Sequence, residues 1–244
     1  MSQIPWRRFI AIGDSLTEGV GDPTPVGLRG WADRLADGLK LLEPELIYAN
    51  LARRGLTTRE VIDTQLARAI ELKPDLTMAT VGMNDLIRPT FDESVYETDL
   101  DELVGALSAT GATVMMGTYG DITKVLRVSA RVKISLEERM LRANEVIRLV
   151  AARHEAPMVE ARGMPDSSDA RSYSVDRLHP GPRGHLLIAR AYADLLSGIA
   201  GTKIELPDPD EGRVGAGKFT QARWIARQVT PGQIARYVVR SRLG

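Results

Sequence analysis

Short apolar runs alternate along this chain with longer stretches in which apolar residues recur every three or four positions. The short runs are bounded by glycine, proline or polar residues, which is typical of strands buried on both faces. The longer stretches predict amphipathic helices. The predicted strands cover residues 9–13, 46–51, 75–81, 113–117 and 158–160. The predicted helices cover residues 31–42, 58–72, 93–107 and 136–152, and a last one follows Pro182. This alternation is typical of βαβ units and predicts a mostly parallel sheet.

Two of these segments carry finer expectations. In the helix over 58–72, the spacing predicts four inward-facing residues, which are Val61, Ile62, Leu66 and Ile70. The stretch from Tyr119 to Ile134 is expected to be a loop that shapes the substrate site.

Composition narrows the classes of protein and chemistry. With 244 residues and 43% hydrophobic content, one α/β domain with a sizeable core is expected. The absence of cysteine excludes disulfides and thiolate metal sites, and only three histidines remain as imidazole ligands. No stretch is apolar and long enough for a signal peptide or a membrane span, so a cytoplasmic protein is expected.

The net charge of zero hides an asymmetry between the body and its carboxyl-terminal end. Seven of the 32 basic residues follow Glu211 with no acidic residue among them, and the part before has seven more acidic than basic residues. A polar, proline-rich segment at 206–212 is typical of a linker. We therefore expect a main domain over 1–200 and a basic extension over 201–244, with two short helices split at Pro231. Its apolar and basic faces favour docking on the body or on a second copy over weak binding to an anionic membrane.

The first predicted strand ends at Gly13, Asp14 and Ser15. Open α/β sheets place ligands beyond the carboxyl ends of their strands, so this turn would expose Ser15 at such a position. Asp14 and Ser15 could equally do no more than cap the helix that follows. The turn alone leaves both interpretations open.

An acid three residues before a histidine, Asp176 and His179, provides a second signal. Asp176 can accept the imidazole Nδ1–H across a tight loop, which leaves Nε2 free to take a proton from a serine hydroxyl. The same spacing is frequent by chance and is often structural. Beyond the second and third strands, Gly55 can offer its backbone N–H and Asn84 its carboxamide N–H to an oxyanion.

These stretches together resemble the sequence blocks of the SGNH hydrolases, also called the GDSL esterase/lipase family. Gly13-Asp14-Ser15-Leu16 resembles the block that names the family, Gly55 falls at its second-block glycine, Gly82-Met83-Asn84-Asp85 resembles its G-x-N-D block, and Asp176-Arg177-Leu178-His179 its D-x-x-H block. The four occur in family order, and the likeness covers roughly residues 7–200.

The resemblance implies a three-layer α/β/α sandwich with about five parallel strands, the flavodoxin-like fold of that family. It implies that Ser15 is the nucleophile, His179 the general base and then acid, and Asp176 its orienting carboxylate. It also implies an oxyanion hole made by Ser15, Gly55 and Asn84. The expected reaction is hydrolysis of a small carboxylic ester, with short acyl chains favoured, and with no cofactor and no metal.

Other interpretations stay open at this point. An acyltransferase that moves the acyl group to a sugar or another alcohol would use the same motifs. A non-catalytic binding module would require a missing catalytic group, and none is missing. Nucleic-acid binding is not expected, because the basic tail has few interleaved aromatic residues. Arg53 and Arg54 could favour an anionic substrate or pair with an acid.

Structural rather than catalytic roles are expected for several residues. His154 is interpreted as a cation at a helix end. His185 is expected to pack or to form local hydrogen bonds, and Asp85 to hold the Asn84 loop. The glycines of Gly19-Val20-Gly21 do not make a dinucleotide-binding fingerprint.

Overall fold

A five-stranded parallel sheet lies at the centre of the computed structural model, which describes residues 4–207. The strands are β1 (Arg8–Gly13), β2 (Pro23–Thr24), β3 (Gly27–Leu28), β4 (Ile47–Asn50), β5 (Leu76–Thr80), β6 (Thr113–Gly117) and β7 (Met158–Val159). Strands β2 and β3 form a separate antiparallel hairpin. The central sheet has the order β4-β1-β5-β6-β7.

Eight α-helical segments connect the strands in the described part of the chain. They are α1 (Ser15–Glu18), α2 (Trp31–Leu42), α3 (Thr58–Val61), α4 (Ala67–Glu71), α5 (Met83–Ile87), α6 (Glu93–Ser108), α7 (Ala130–Arg153) and α8 (Pro182–Ala200). A π-helical turn, Ile62–Leu66, joins α3 to α4 into one continuous helical rod. Short 3₁₀ turns lie at Ile122–Lys124 and Ala170–Ser172. Within residues 4–207 there is no helix of the length and apolarity that a membrane crossing requires.

The strand order explains where a site can form. The chain moves outward from β1 to β4 and then crosses back over β1 to β5, so the loops after β1 and β5 separate and leave a crevice. This is the switch point of a flavodoxin-like sheet, where ligands bind at the carboxyl ends of the strands. The residues that follow β1 and β5 therefore face the same opening.

Both faces of the sheet are covered, which makes the molecule a three-layer sandwich. On β1, Ile10 and Ile12 pack with α3, α4, α6 and α7, whereas Phe9 and Ala11 pack with α2 and α8. All four side chains are fully buried. Burying each large apolar side chain contributes about 1.5–3 kcal/mol, so the sheet is fixed firmly beneath the loops that carry polar residues.

The predicted fold class is confirmed, and three details differ. Ile70 is 38% exposed, and the small Ala69 is buried instead, because the π-turn adds a residue and rotates the following turn. Helix α7 begins at Ala130, within the stretch expected to be a loop, with Ser129 as its N-cap. The β2–β3 hairpin was not predicted, since strands of two residues leave no periodic pattern.

The described chain continues to pack on the core beyond α8. Ile204 is buried, and the side chains of Ile204 and Leu206 lie against Gly38 on α2. The two helices expected in the basic extension lie outside the described residues.

Candidate active site

Ser15 lies on a sharp turn between β1 and α1. Gly13 ends the strand with a φ of 143°, a value that side chains rarely permit. Asp14 is extended and caps α1, with its side chain accepting the Leu16 N–H at 3.0 Å. Helix α1 then ends after one turn at Gly19, in the left-handed conformation. The turn therefore presents Ser15 at the mouth of the crevice, where it is half-buried.

Gln65 holds this turn from below. Its side-chain oxygen accepts the Gly13 N–H and its amide donates to the Gly13 carbonyl, both at 2.9 Å. Gln65 is 3% exposed and belongs to the π-turn. A side chain at Gly13 would meet Thr17 and the Thr80 carbonyl at about 3 Å. Glycine at this position and the π-turn thus together define the conformation of the turn that carries Ser15.

His179 lies in a loop before α8 whose two ends are hydrogen-bonded to each other. A bridge between Tyr173 and Pro180, and a 2.8 Å hydrogen bond from the Ser174 N–H to the His179 carbonyl, close its base. Inside the loop, one Asp176 oxygen accepts the backbone N–H groups of Leu178 and His179 at 3.0 Å. It also accepts the Ser174 hydroxyl at 2.6 Å. The aspartate therefore organises the loop as well as the imidazole.

A continuous chain of hydrogen bonds joins the three side chains. The second Asp176 oxygen is 2.7 Å from His179 Nδ1, and His179 Nε2 is 2.9 Å from Ser15 Oγ. Ser15 and His179 are 164 positions apart in sequence, and the fold brings their side chains into contact. The arrangement can transfer a proton from the serine hydroxyl to the imidazole while the carboxylate stabilises the charge that forms.

Electrostatics support an ionised Asp176. Burial alone would raise its pKa, but hydrogen bonds from His179 and Ser174 lower the pKa to about 2. The carboxylate is therefore charged at neutral pH. It accepts the Nδ1–H of His179 and fixes the tautomer whose Nε2 accepts the serine proton.

Gly55 lies in a turn after β4, and hydrogen bonds connect this turn to the segment that carries Ser15. The Arg53 N–H donates to the Gly13 carbonyl at 3.1 Å, and the Arg54 N–H to the Glu18 carboxylate at 2.7 Å. Gly55 itself has a φ of 84°. Among residues 4–207, no partner accepts the backbone N–H of either Gly55 or Ser15. Both donors are thus available to a ligand.

The two arginines of this turn differ. The Arg54 guanidinium pairs with Glu18, with its terminal nitrogen at 2.6 Å, so this cation is neutralised by an acid. Arg53 is exposed, and its side chain forms no ion pair with the described part of the chain.

Asn84 lies in the first turn of α5, the short helix after β5, and faces the same crevice. Its amide nitrogen donates to the Leu56 carbonyl at 2.9 Å and more weakly to Asp14 Oδ2 at 3.3 Å. Asp85, as expected, holds this loop, because its carboxylate accepts the backbone N–H and hydroxyl of Thr58. The site residues predicted from the sequence therefore all lie at the carboxyl-terminal edge of the sheet. The Asn84 amide nitrogen, however, already donates to two protein oxygens.

Two carboxyls lie near the site, the buried Asp14 and the half-buried Asp85. Burial raises the pKa of Asp14 to about 6, although the hydrogen bond from Leu16 opposes the shift. Burial likewise raises the pKa of Asp85 to about 6, against hydrogen bonds from Thr58. Each carboxylate raises the cost of ionising buried neighbours, as it does for Tyr96. The floor of the crevice is thus poorly hydrated and polar, a setting in which hydrogen bonds are strong.

The motifs did not single out Gly21 as part of the site. Gly21 has a φ of 107°, and a side chain here would come within 2.0 Å of the Pro180 carbonyl, next to His179. The backbone at Gly21 therefore sets how closely the segment after α1 approaches the loop that carries His179. The glycine pair at 19 and 21 carried a usable signal, since glycine often marks a close backbone approach.

The other two histidines are not at the site. His154 ends α7, with Nε2 2.8 Å from Asp101. His185 is fully buried: its Nδ1 accepts the Trp31 N–H, and its Nε2 is 3.1 Å from the Val20 carbonyl. Its hydrogen bonds are thus to residues distant in sequence rather than local. The described residues contain no group of three histidine, aspartate or glutamate side chains placed to hold a metal ion.

Comparison with known proteins places this geometry in context. A sequence model of the GDSL-like lipase/acylhydrolase family matches residues 11–187. No curated protein matches the sequence. LAE5, an alpha/beta hydrolase enzyme from the metagenome of Lake Arreo, Spain, superposes with a TM-score of 0.64 at 25% identity, over 78% of this chain and 95% of LAE5.

Axe2, an acetylxylan esterase from Geobacillus stearothermophilus, has the same fold, with a TM-score of 0.61 at 19% identity over 80% of this chain and 96% of Axe2. The matched segment includes Ser15, Gly55, Asn84, Asp176 and His179. The chain therefore belongs to the GDSL-like lipase/acylhydrolase family and is a carboxylic ester hydrolase.

Proposed function

We propose that the protein hydrolyses esters of short acyl chains, acetyl esters above all, through an acyl-enzyme on Ser15. The observation that carries the proposal is the continuous hydrogen-bond chain from Asp176 through His179 to Ser15 Oγ. A serine hydroxyl is a weak nucleophile unless an adjacent base takes its proton, and an imidazole with a fixed tautomer is such a base.

In the first half of the reaction, Ser15 Oγ attacks the ester carbonyl carbon as its proton moves to His179 Nε2. The carbonyl oxygen becomes an oxyanion in the tetrahedral intermediate. When the intermediate collapses, the bond to the alcohol oxygen breaks and His179 donates its proton to that oxygen. In the second half, His179 takes a proton from the water that attacks the acyl carbon. When this second intermediate collapses, the bond to Ser15 Oγ breaks, His179 returns its proton to that oxygen, and the carboxylic acid leaves.

The oxyanion is held by the backbone N–H groups of Ser15 and Gly55, which have no other acceptor among the described residues. The Asn84 carboxamide is the third donor. Its 3.3 Å hydrogen bond to Asp14 is the weaker of its two, so an oxyanion displaces Asp14 while the bond to Leu56 keeps the amide in place.

The preference for short acyl chains is supported by the composition of the chain. Only 5% of all residues are aromatic, so few large aromatic side chains can line a site for a long acyl chain. A long hydrocarbon chain gains free energy only from apolar walls. The fold shared with Axe2, an acetylxylan esterase, is consistent with a small acyl group.

The test combines kinetics with covalent trapping. Ser15→Ala and His179→Ala are expected to abolish hydrolysis of 4-nitrophenyl acetate, and Asp176→Asn to leave more residual activity, because triad members contribute unequally. A fluorophosphonate probe should add its mass to the peptide containing Ser15 in the wild type but not in Ser15→Ala.

The matched controls are Ser135→Ala and His154→Ala, at an exposed serine and at a histidine outside the site, and both should retain activity and labelling. A panel of 4-nitrophenyl esters from acetate to palmitate tests chain length, and faster turnover of the long chains would overturn that preference. Wild-type rates in Ser15→Ala would overturn the mechanism.

A further inference from the structure

A cavity of about 400 Å³ opens to solvent beside α1 and takes no part in the steps above. Its volume falls in the range of about 300–1,000 Å³ that is usual for small-molecule sites. The lining residues are Glu18, Gly27, Leu28, Asp33, Asn50, Ala52 and Arg54.

The cavity shares its walls with the reaction site. Glu18 lies three residues after Ser15 on α1, and side chains at this spacing on a helix are about 5–6 Å apart. Arg54 directly precedes Gly55, and its backbone N–H and guanidinium both bind the Glu18 carboxylate. The Glu18–Arg54 pair therefore lines the cavity and is close in sequence to both Ser15 and Gly55.

The walls are also fixed in position. The β2–β3 hairpin, which forms the outer wall, is anchored at its base by an ion pair between Asp22 and Arg34, whose side chains are 4% and 1% exposed. Arg29 lies opposite Asp22 at the same base, where its N–H donates to the Asp22 carbonyl and its guanidinium pairs with Asp37 on α2 at 2.8 Å. A cavity whose walls are already ordered costs little conformational entropy when a ligand binds.

The lining favours a neutral ligand rich in hydroxyl groups. Two carboxylates and one guanidinium give a net negative lining, which disfavours anions, and Leu28 is the sole large apolar side chain in the lining. Asp33 accepts the Gly30 N–H on one oxygen and the Tyr48 hydroxyl on the other. Each carboxylate oxygen has a second lone pair, so Asp33 can accept two further hydrogen bonds from a ligand. Sugar hydroxyls supply such donors.

We propose that this cavity binds the alcohol portion of the substrate, and that this alcohol is a neutral sugar carrying the acyl group on one of its hydroxyls. The inference rests on the proposed ester hydrolysis at Ser15 and adds the class of alcohol. The sugar ring lies between the hairpin and Asn50, with hydroxyls donating to Asp33, while the ester carbonyl extends past Glu18 to the serine.

The kinetic test compares two acetates that differ only in the alcohol, 6-O-acetylglucose and 4-nitrophenyl acetate. Leu28→Trp fills the cavity and should lower kcat/KM for the sugar acetate by about tenfold or more, with less than about a twofold change for 4-nitrophenyl acetate. Leu28→Phe should give an intermediate loss. The matched control is Val26→Trp, because Val26 is 97% exposed on the same hairpin and lines only an adjoining cleft.

A binding test needs no hydrolysis. Ser15→Ala protein should bind 6-O-acetylglucose in calorimetry or by protein chemical shifts, and adding Leu28→Trp should abolish that binding while Val26→Trp leaves it unchanged. Equal loss on both acetates, no loss on either, or binding that survives Leu28→Trp overturns the sugar site. If the wild type hydrolyses neither acetate, the proposed hydrolysis fails, and the binding measurement still decides whether the cavity holds the sugar.

Discussion

The Asn84 amide donates to the Leu56 carbonyl and, in the mechanism proposed above, also to the oxyanion. Replacing it with alanine would remove this proposed oxyanion donor and leave the Leu56 carbonyl without its partner. We expect Asn84→Ala to lower kcat by a factor of about 100–1,000 with little change in KM, since the donor acts on charge that develops after binding. Steady-state kinetics on 4-nitrophenyl acetate measure this. A change in KM alone would argue against an oxyanion contact.

For single residues, the sequence was sufficient to predict pairs whose two members are close together in the chain. Asp176 and His179 are three apart and form the expected pair, and their loop is stabilised by the same aspartate. Glu18 and Gln65 were out of reach, because their contacts cross 36 and 52 residues and follow no short-range pattern. Such partners are defined only when the sheet order brings two loops together.

Among the connecting elements, the segment after α1 sets the distance to the histidine loop. Gly21→Ala would place a methyl group against the Pro180 carbonyl and displace the loop that carries His179. We expect kcat to fall by at least about tenfold, in line with the cost of small misplacements of catalytic groups. Kinetics and thermal unfolding should be measured together.

Gly111→Ala is the matched control for backbone strain. Gly111 also has a positive φ, of 82°, but nothing lies within 4 Å of an added side chain. This variant should lose some stability and keep its kcat. If both alanine variants lose activity equally, strain rather than the contact with Pro180 is responsible.

The elements were predictable where their pattern was periodic. The strand over 113–117 is confirmed to the residue, and the helix predicted from the apolar spacing between Trp31 and Leu42 is confirmed as α2. The buried face of the α3–α4 rod was wrong at Ile70, because hydrophobic periodicity assumes 3.6 residues per turn and the π-turn departs from it. The start of α7 was missed because its first turns are exposed and carry no apolar stripe.

For the molecule as a whole, buried titratable groups predict how stability responds to pH. Burial lowers the pKa of His185 to about 3, from an unfolded value near 6.5. The unfolded chain therefore binds a proton that the folded chain refuses, and His185 destabilises the fold progressively as the pH falls from about 6.5 to 3. Asp14 has the opposite effect: its pKa of about 6 exceeds the unfolded value of 3.8, so it favours folding as the pH falls from 6 to 3.8.

Thermal unfolding of His185→Asn and Asp14→Asn across pH 4–8 tests both signs. The stability lost in His185→Asn should be largest above pH 6.5 and shrink in acid. Asp14→Asn should instead gain stability relative to the wild type as the pH rises from 4 to 6. Parallel pH curves for the wild type and both variants would contradict these assignments.

The π-turn at Ile62–Leu66 also determines what the deletion of one residue from this helical segment would do. It accommodates one residue more than an α-helix along the same path, so deleting one residue would leave a regular helix that still packs on the sheet. Each residue in a helix turns by about 100°, and that deletion would rotate Gln65 or its replacement away from Gly13. We therefore expect a relative without the extra π-turn residue to use a different side chain to bond the backbone of the glycine that corresponds to Gly13.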